Sequence, residues 1–276
     1  DRLEIIMGDI RDPFFCNRIS SNVDIVFHLA ALIGIPYSYI APAEYIATNL
    51  SGTLNILEAS RVNKNIKKII HTSTSETYGT AKYTPINEDH PLQGQSPYSA
   101  SKISADKLVE SYFASFNTPV TTIRPFNTYG PRQSDRAIIP TVMSQISAGS
   151  NVITIGSLDP VRDFTFVKDT VQGFIKIAES DESIGRVINI GNGKGITIGE
   201  LVDVIQNING TNLEIVTDNT RIRPKKSEVF ELIADNAEAK KLIGWEPKIT
   251  LLEGLTETNE YVMSNISNFN TKTYNI

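Results

Sequence analysis

Short apolar runs alternating with long amphipathic stretches constrain this chain more than any other feature. Val23 to Leu29, Lys67 to Ser73 and Val120 to Arg124 are rich in Val and Ile, as strands buried on both faces are. Between them, Ala43 to Val62 carries Ile46, Leu50, Leu54, Ile56 and Leu57 at helical spacing. Pro97 to Phe116 carries Ala105, Leu108, Val109, Tyr112, Phe113 and Phe116 on one side. Strands alternating with helices at this spacing predict an α/β protein with a mostly parallel, doubly wound sheet. Such sheets place their ligands at the carboxyl ends of the strands.

Beyond Phe126 the alternation loosens. Helices are predicted over 138–148, 168–179, 198–208 and 236–243, and strands over 151–155, 162–167, 186–190 and 213–216. This pattern predicts a nucleotide-binding domain of residues 1–125 and 164–190. Residues 126–163 and 191–263 would form a smaller substrate domain, and 264–276, rich in Asn, Ser and Thr, a loose tail. A chain of 276 residues can bury a core for this architecture. The net charge of −5 argues against nucleic-acid and anionic-membrane partners. No apolar run approaches the ~18 residues of a membrane span. The single cysteine, Cys16, excludes an internal disulfide and fits a cytoplasmic setting, and no His or Cys cluster has metal-ligand spacing. Leu3 to Met7 reads as a strand, yet no Gly-x-Gly-x-x-Gly turn follows it. The expectation is therefore that the first βαβ unit lies outside this sequence.

Two segments carry the chemistry. Tyr98-Ser99-Ala100-Ser101-Lys102 puts a phenol and an ammonium four residues apart, on one helix face. Ser73-Thr74-Ser75-Glu76-Thr77-Tyr78-Gly79 follows the apolar run Ile66 to His71, at the carboxyl end of a buried strand. An ammonium stabilises phenolate, a base able to take a proton from a sugar hydroxyl. A carboxylate beside it can then act on the oxidised product. Each residue also has a bland reading: Tyr98 and Lys102 as an exposed pair, Glu76 as a solvated loop carboxylate, Thr74 and Ser75 as groups satisfying a strand terminus. Arg162 and Arg223 read equally as surface ion-pair partners, and His28 reads as a packed core residue.

Together these residues resemble the extended short-chain dehydrogenase/reductase family of NAD-dependent nucleotide-sugar epimerases and dehydratases. The resemblance runs from residue 1 to about Leu255. It rests on Gly8-Asp9-Ile10, His28-Leu29-Ala30-Ala31, Asn49 with Gly52-Thr53, the Ser73–Gly79 segment, Tyr98/Lys102, Arg124-Pro125-Phe126-Asn127, Arg162-Asp163-Phe164 and Gly244-Trp245. It implies a Rossmann-like fold. Thr74-Ser75-Glu76 is similar to the motif of the 4,6-dehydratases. The stretches 31–39 and 127–134 are most similar to dehydratases that open the legionaminic-acid pathway, which act on a nucleotide-activated N-acetylglucosamine. A 4-epimerase, a UDP-glucuronate decarboxylase and an inactive nucleotide-sugar-binding fragment are the alternatives.

The resemblance implies a role for each matching residue. Tyr98 would deprotonate the hydroxyl on sugar carbon 4 and Thr74 would hydrogen-bond that oxygen. Lys102 would lower the phenol's proton affinity and hold the nicotinamide ribose. Poising a phenol of pKa ~10 near neutrality takes about 4 kcal/mol, most of it expected from Lys102 and the nicotinamide. Glu76 would remove the carbon-5 proton, with Ser75 as relay. Asp9 and Ile10 would flank the adenine of NAD, Leu29, Ala30 and Ala31 would line it, and Pro125 would sit near the nicotinamide. For the substrate, Asn127 would meet the diphosphate and Ala137 and Ile138 the base, with Ile155 packed on it. Arg162 and Arg223 would hold phosphate oxygens, with Glu228 near the ribose. Relatives dimerise through the helices expected at 43–62 and 97–116, which implies a homodimer.

Overall fold

Local sequence sets where the elements begin. α1 (Pro13–Ser20) opens on Asp12, whose carboxylate accepts from the Phe14 and Phe15 N–H groups, with proline in the first turn. β1 (Ile25–His28), the short helices α2 (Ile35–Ile40) and α3 (Pro42–Tyr45), a π-helical turn over Ile46–Ser51 and α4 (Gly52–Val62) follow. β2 (Lys68–Thr72) leads through a 3₁₀ turn (Ser75–Tyr78) to α5 (Pro97–Phe116), β3 (Val120–Pro125) and β4 (Asn127–Tyr129). Then come α6 (Ile138–Ser147), β5 (Val152–Ile155), β6 (Val161–Phe166), α7 (Val167–Glu179) and β7 (Val187–Ile190). β8 (Gly195–Thr197), α8 (Ile198–Asn209), β9 (Glu214–Thr217), β10 (Glu231–Leu232), α9 (Ala237–Ile243) and α10 (Leu251–Ser264) complete the order. The computed structural model describes residues 3–270. Among these, no helix is long and apolar enough to cross a membrane.

The chain divides into two units. The first comprises Asp1–Gly79, Leu92–Arg124 and Phe174–Ile188; the second comprises Thr80–Pro91, Pro125–Gly173 and Asn189–Ile276. Besides shifts of one or two residues at Pro125 and at 189–190, the boundaries expected from sequence differ in three places. Residues 80–91 join the second unit because Ile86 exchanges backbone hydrogen bonds with Ile233 and Asp235, and Glu88 accepts from the Asn189 N–H. Residues 164–173 join it because β6 pairs with β4, β10 and β8, and Asp169 accepts from the Lys248 and Ile249 N–H groups. Within the stretch expected as a tail, α10 runs to Ser264 and a 3₁₀ turn covers Ile266–Asn268. Residues 271–276 of that expected tail lie outside the described residues.

In the first unit β1, β2 and β3 pair in parallel, and β7 lies beyond β3. β2 is buried along nearly its whole length, as a central parallel strand must be. Its one charge, Lys68, is satisfied at the end of α7, where Nζ donates to the carbonyls of Ile177 and Ser180 and to Ser183 Oγ. Leu57, Ile66, Ile69, Val109, Tyr112 and Val120 form a core between sheet and helices. Each such side chain contributes about 1.5–3 kcal/mol by leaving water. Leu3 to Met7, expected as a strand, is exposed chain without strand pairing. The single helix expected over 43–62 is α3, the π turn and α4 in succession, because the extra residue of the π turn shifts the helical phase.

The second unit holds two further sheets, β10-β6-β4 with β8 antiparallel to β6, and the parallel pair β5-β9. α6, α8 and α10 cover them around Ile139, Val142, Met143, Leu201, Val202, Ile205 and Leu255. α8 and α10 each start on a capping box, Thr197 with Glu200 and Thr250 with Glu253. The second of these marks the start of α10, an element additional to those expected.

Candidate active site

The first unit brings together Thr74, Ser75, Glu76, Tyr98 and Lys102. α5 begins at Ser96, whose hydroxyl accepts from the Ser99 N–H while Ser99 Oγ answers to the Ser96 N–H. Pro97 then fixes the first turn. Tyr98 and Lys102, four residues apart, therefore occupy the well-anchored start of a 20-residue helix, and both side chains are buried. The strand-end segment is held as firmly. Thr74 caps the 3₁₀ turn by accepting from the Glu76 N–H (3.2 Å), and Thr77 Oγ1 donates to the Thr74 carbonyl (2.8 Å). Gly79, at φ +63°, closes the turn, and a Cβ there would stand 2.6 Å from the Gln93 carbonyl oxygen.

The two segments meet at the phenol. Thr74 and Tyr98 share a side-chain hydrogen bond, and the Glu76 carboxylate lies close enough to repel negative charge on Tyr98. Burial pushes the Tyr98 phenol well above its usual range; the Thr74 bond opposes this, and Glu76, Asp106 and Tyr45 reinforce it. Burial likewise brings the Lys102 ammonium down to about 8, with Asp106 pulling the other way. Lys102 Nζ donates to the Thr72 carbonyl at 2.6 Å. Burial is the largest influence on Tyr98 in this state, so the residue at position 98 is a neutral phenol. Ser75 is buried in the turn.

The residues expected to line a cofactor lie around β1. Leu29 is an apolar side chain 59% exposed, Ala30 is exposed and Ala31 half-buried. Asp9 is exposed and bonded to Arg11 (2.7 Å), which also reaches Glu44 (2.8 Å); the Arg11 hydrogen bonds hold its carboxyl below the usual range. Ile10 packs beside Cys16, Ile56 and Ala59. Pro125 ends β3, half-buried.

In the second unit Arg162 Nη2 and Arg223 Nη1 both approach Glu228 Oε1, at 3.3 and 3.7 Å. Glu228 thus offsets half the charge of the pair that the resemblance assigns to phosphate. Asn127 opens β4 with its Oδ1 buried and without a hydrogen-bond partner. Ala137 is the N-cap of α6 and Ile138 its first residue. Ile155 departs from expectation: it is buried in the core of this unit rather than on a face open to a base.

Four residues stood in the sequence motifs or beside them without a role. Asn49, in the π turn, accepts from the Leu32 N–H, donates to the Leu32 carbonyl and reaches Ser101 Oγ, so it clasps the chain after β1 to α5. Asp163 accepts from the Asn192, Gly193 and Ala234 N–H groups. Asp106 and Arg124 form a buried ion pair of 3.0 Å. The available signals were the π turn's Asn-x-x-Gly-Thr, the Arg-Asp-Phe triplet, Asp106 one turn after Lys102, and Arg124 heading Arg-Pro-Phe-Asn.

The chain is similar to known nucleotide-sugar enzymes in sequence and fold. The chain is 29% identical over 273 residues to human dTDP-D-glucose 4,6-dehydratase, covering 96% of this chain and 77% of that protein. It is 32% identical over 263 residues to UDP-glucuronic acid decarboxylase 6 of Arabidopsis thaliana, covering 92% and 72%. It superposes on UDP-glucuronic acid 4-epimerase from Bacillus cereus, solved with UDP-glucuronic acid and NAD, with a TM-score of 0.87 and 29% identity, covering 94% and 81%. The family profile described as GDP-mannose 4,6 dehydratase matches residues 1–258, and the chain belongs to that family.

Proposed function

We propose that this chain is an NAD-dependent nucleotide-sugar 4,6-dehydratase, acting on UDP- or GDP-N-acetylglucosamine to give a 4-keto-6-deoxy sugar for a surface polysaccharide or sialic-acid-like sugar. The observation that carries the reading is Glu76, a carboxylate on the strand-end turn near the Tyr98 phenol, which itself is bonded to Thr74. A 4-epimerase needs no such second base, whereas dehydration must remove the carbon-5 proton.

The residues present fit a dinucleotide. Apolar Leu29 is exposed at the end of β1, and Thr72 Oγ1 is buried without a hydrogen-bond partner beside the Lys102–Thr72 bond. Asp9, Ile10, Leu29, Ala30, Ala31, Tyr98, Lys102 and Pro125 would hold NAD. When bound, NAD supplies the acceptor for the carbon-4 hydride, its return to carbon 6, and a positive charge. Tyr98, ionised with the help of that charge, takes the proton from the carbon-4 hydroxyl, whose oxygen Thr74 aligns. The ketone so formed acidifies the carbon-5 proton, and Glu76 removes it; a positioned base of this kind is worth ~10²–10⁴ in rate. The carbon-6 hydroxyl leaves as water with a proton from the Glu76 carboxyl, relayed by Ser75. As carbon 6 is reduced, carbon 5 regains a proton from solvent, matched by the proton that Tyr98 gives up, so the net change is the loss of one water. Arg162, Arg223 and Asn127 take the diphosphate in exchange for Glu228, by charge-assisted bonds. Ala137 and Ile138 take the base. We place the enzyme in the cytoplasm, as a homodimer through the partly exposed Leu54, Phe113 and Phe116 of α4 and α5.

Mass spectrometry of the product from UDP- and GDP-N-acetylglucosamine tests this. Loss of one water supports the dehydratase; an isomer of unchanged mass points to an epimerase, and loss of carbon dioxide from UDP-glucuronate to a decarboxylase. Glu76→Gln should abolish water loss while slow oxidation at carbon 4 survives. Full turnover by Glu76→Gln would refute the assignment.

A further inference from the structure

Tyr98, Lys102 and Asp106 follow one another at intervals of four, forming a single stripe along α5. Tyr98 and Lys102 have roles in the chemistry; Asp106, which is buried, has none. Its carboxylate instead collects donors from two strands. His71 Nε2 lies 3.1 Å from Oδ1, and Ser73 Oγ donates to Oδ2 at 2.8 Å. Arg124 Nε and Nη2 donate to the same Oδ2 at 3.2 and 3.0 Å. Arg124 Nη1 then donates to the Tyr78 hydroxyl (3.0 Å), and the guanidinium stacks 4.9 Å from the centre of the Tyr78 ring.

Ser73 and Tyr78 flank Thr74, Ser75 and Glu76. One buried ion pair therefore grips both ends of the segment that carries the base, and its carboxylate sits on the helix that carries Tyr98 and Lys102. Burial alone would raise the Asp106 carboxyl. The hydrogen bond from His71 and the charge of Arg124 more than reverse that, so the carboxylate stays ionised and able to accept all its bonds. A buried ion pair is weak evidence for stability, because desolvation cancels most of its attraction. Its value here is geometric.

We propose that Asp106 and Arg124 are positioning residues, which lock the Ser73–Gly79 turn to α5 and so fix Thr74 and Glu76 in register with Tyr98 and Lys102. The inference rests on the dehydratase reading for its catalytic consequence, but not for its structural one.

The test uses variants that cut single links and leave the ion pair whole. Ser73→Ala removes the donor to Asp106, Tyr78→Phe removes the acceptor for Arg124, and Ser73→Thr restores a hydroxyl at position 73. Hydrogen exchange of the amides of residues 74–79 is read by mass spectrometry alongside steady-state kinetics on the full chain. Exchange in 74–79 should accelerate at least tenfold in Ser73→Ala and Tyr78→Phe, with the rest of α5 unaffected. The value of kcat should fall roughly 10–100-fold, the cost of misplacing a reacting group by about 1 Å, at unchanged KM, and Ser73→Thr should recover it. A role in stability alone would lower the melting temperature and leave kcat per folded molecule intact; that result, or wild-type exchange in both variants, overturns the proposal. If the wild-type protein turns over no nucleotide sugar, the functional reading fails, and the exchange measurement still decides whether the pair positions the turn.

Discussion

Replacing Lys102 by methionine should abolish activity and yet stabilise the protein at neutral pH. The ammonium is buried within the first unit, and its proton affinity falls from the ordinary 10.5 to about 8, chiefly through desolvation, with Asp106 opposing. At about 1.4 kcal/mol per tenfold change, folding around the charged group costs about 3 kcal/mol. Methionine keeps the length of the stem without the charge. The variant also loses the 2.6 Å hydrogen bond from Nζ to the Thr72 carbonyl, worth about 1 kcal/mol net. A gain of about 2 kcal/mol remains. The pH dependence identifies the cause. Because the folded pKa lies below the unfolded one, the unfolded chain binds more protons between about pH 8 and 10.5, and wild-type stability gains from Lys102 as pH rises through that window. The histidines nearby do not confuse the comparison, since burial holds His28 and His71 below their usual range and both are neutral there. Urea titrations of wild type and Lys102→Met at neutral pH and at about pH 10 should show the difference large at the first and nearly closed at the second. A variant less stable than wild type at neutral pH, or a gap that does not narrow with pH, refutes the claim that this ammonium is held at a cost.

Tyr98→Phe should lower kcat by roughly 10²–10⁴ without lowering the melting temperature, since the phenol bonded to Thr74 is neutral and its ring packs with Ile35 and Tyr45; product assay and circular-dichroism melts read the two effects. Asp163→Asn should destabilise the second unit by about 2–4 kcal/mol, because the amide nitrogen cannot accept from the Gly193 and Ala234 N–H groups that now bond Oδ2. Burial raises the Asp163 carboxyl to about 6, so wild-type stability should gain from this group as pH falls from about 6 toward 4, a component missing from thermal melts of the variant.

What could be read from the sequence was whatever depends on neighbours along the chain. β2 and β3 were legible because a strand buried on both faces must be apolar throughout, and α5 because its apolar side repeats over five turns. The same locality made the candidate cluster legible: Tyr98 and Lys102 share a face through helical spacing, and Thr74 to Glu76 sit together because a strand ends there. The reading failed where a side chain serves a partner far away in sequence. Asn49 bonds Leu32 and Ser101, which no periodicity predicts, and the π turn that carries it looks like plain helix in a hydropathy pattern. Asp163 looked like part of a strand motif, while its work is to gather N–H groups from residues 192, 193 and 234.

The direction of the Tyr98 shift escaped for a related reason. Sequence shows the lysine four residues away, and a nearby cation alone would pull the phenol toward phenolate. Burial is a property of the assembled fold, and here it acts on both members of the pair, raising the phenol and lowering the ammonium. The two groups thus approach neutrality from opposite sides before any ligand arrives. On the proposed mechanism, a site built this way withholds its base until positive charge enters beside the phenol. It follows that occupancy by an oxidised nicotinamide, rather than the Tyr98–Lys102 spacing, should set the pH at which Tyr98 ionises. Titrating tyrosinate absorbance in wild type and Tyr98→Phe, with oxidised and then with reduced cofactor, should reveal a Tyr98 step at lower pH with the oxidised form alone. Identical titrations with both forms would show that the charge on the ring has no such part.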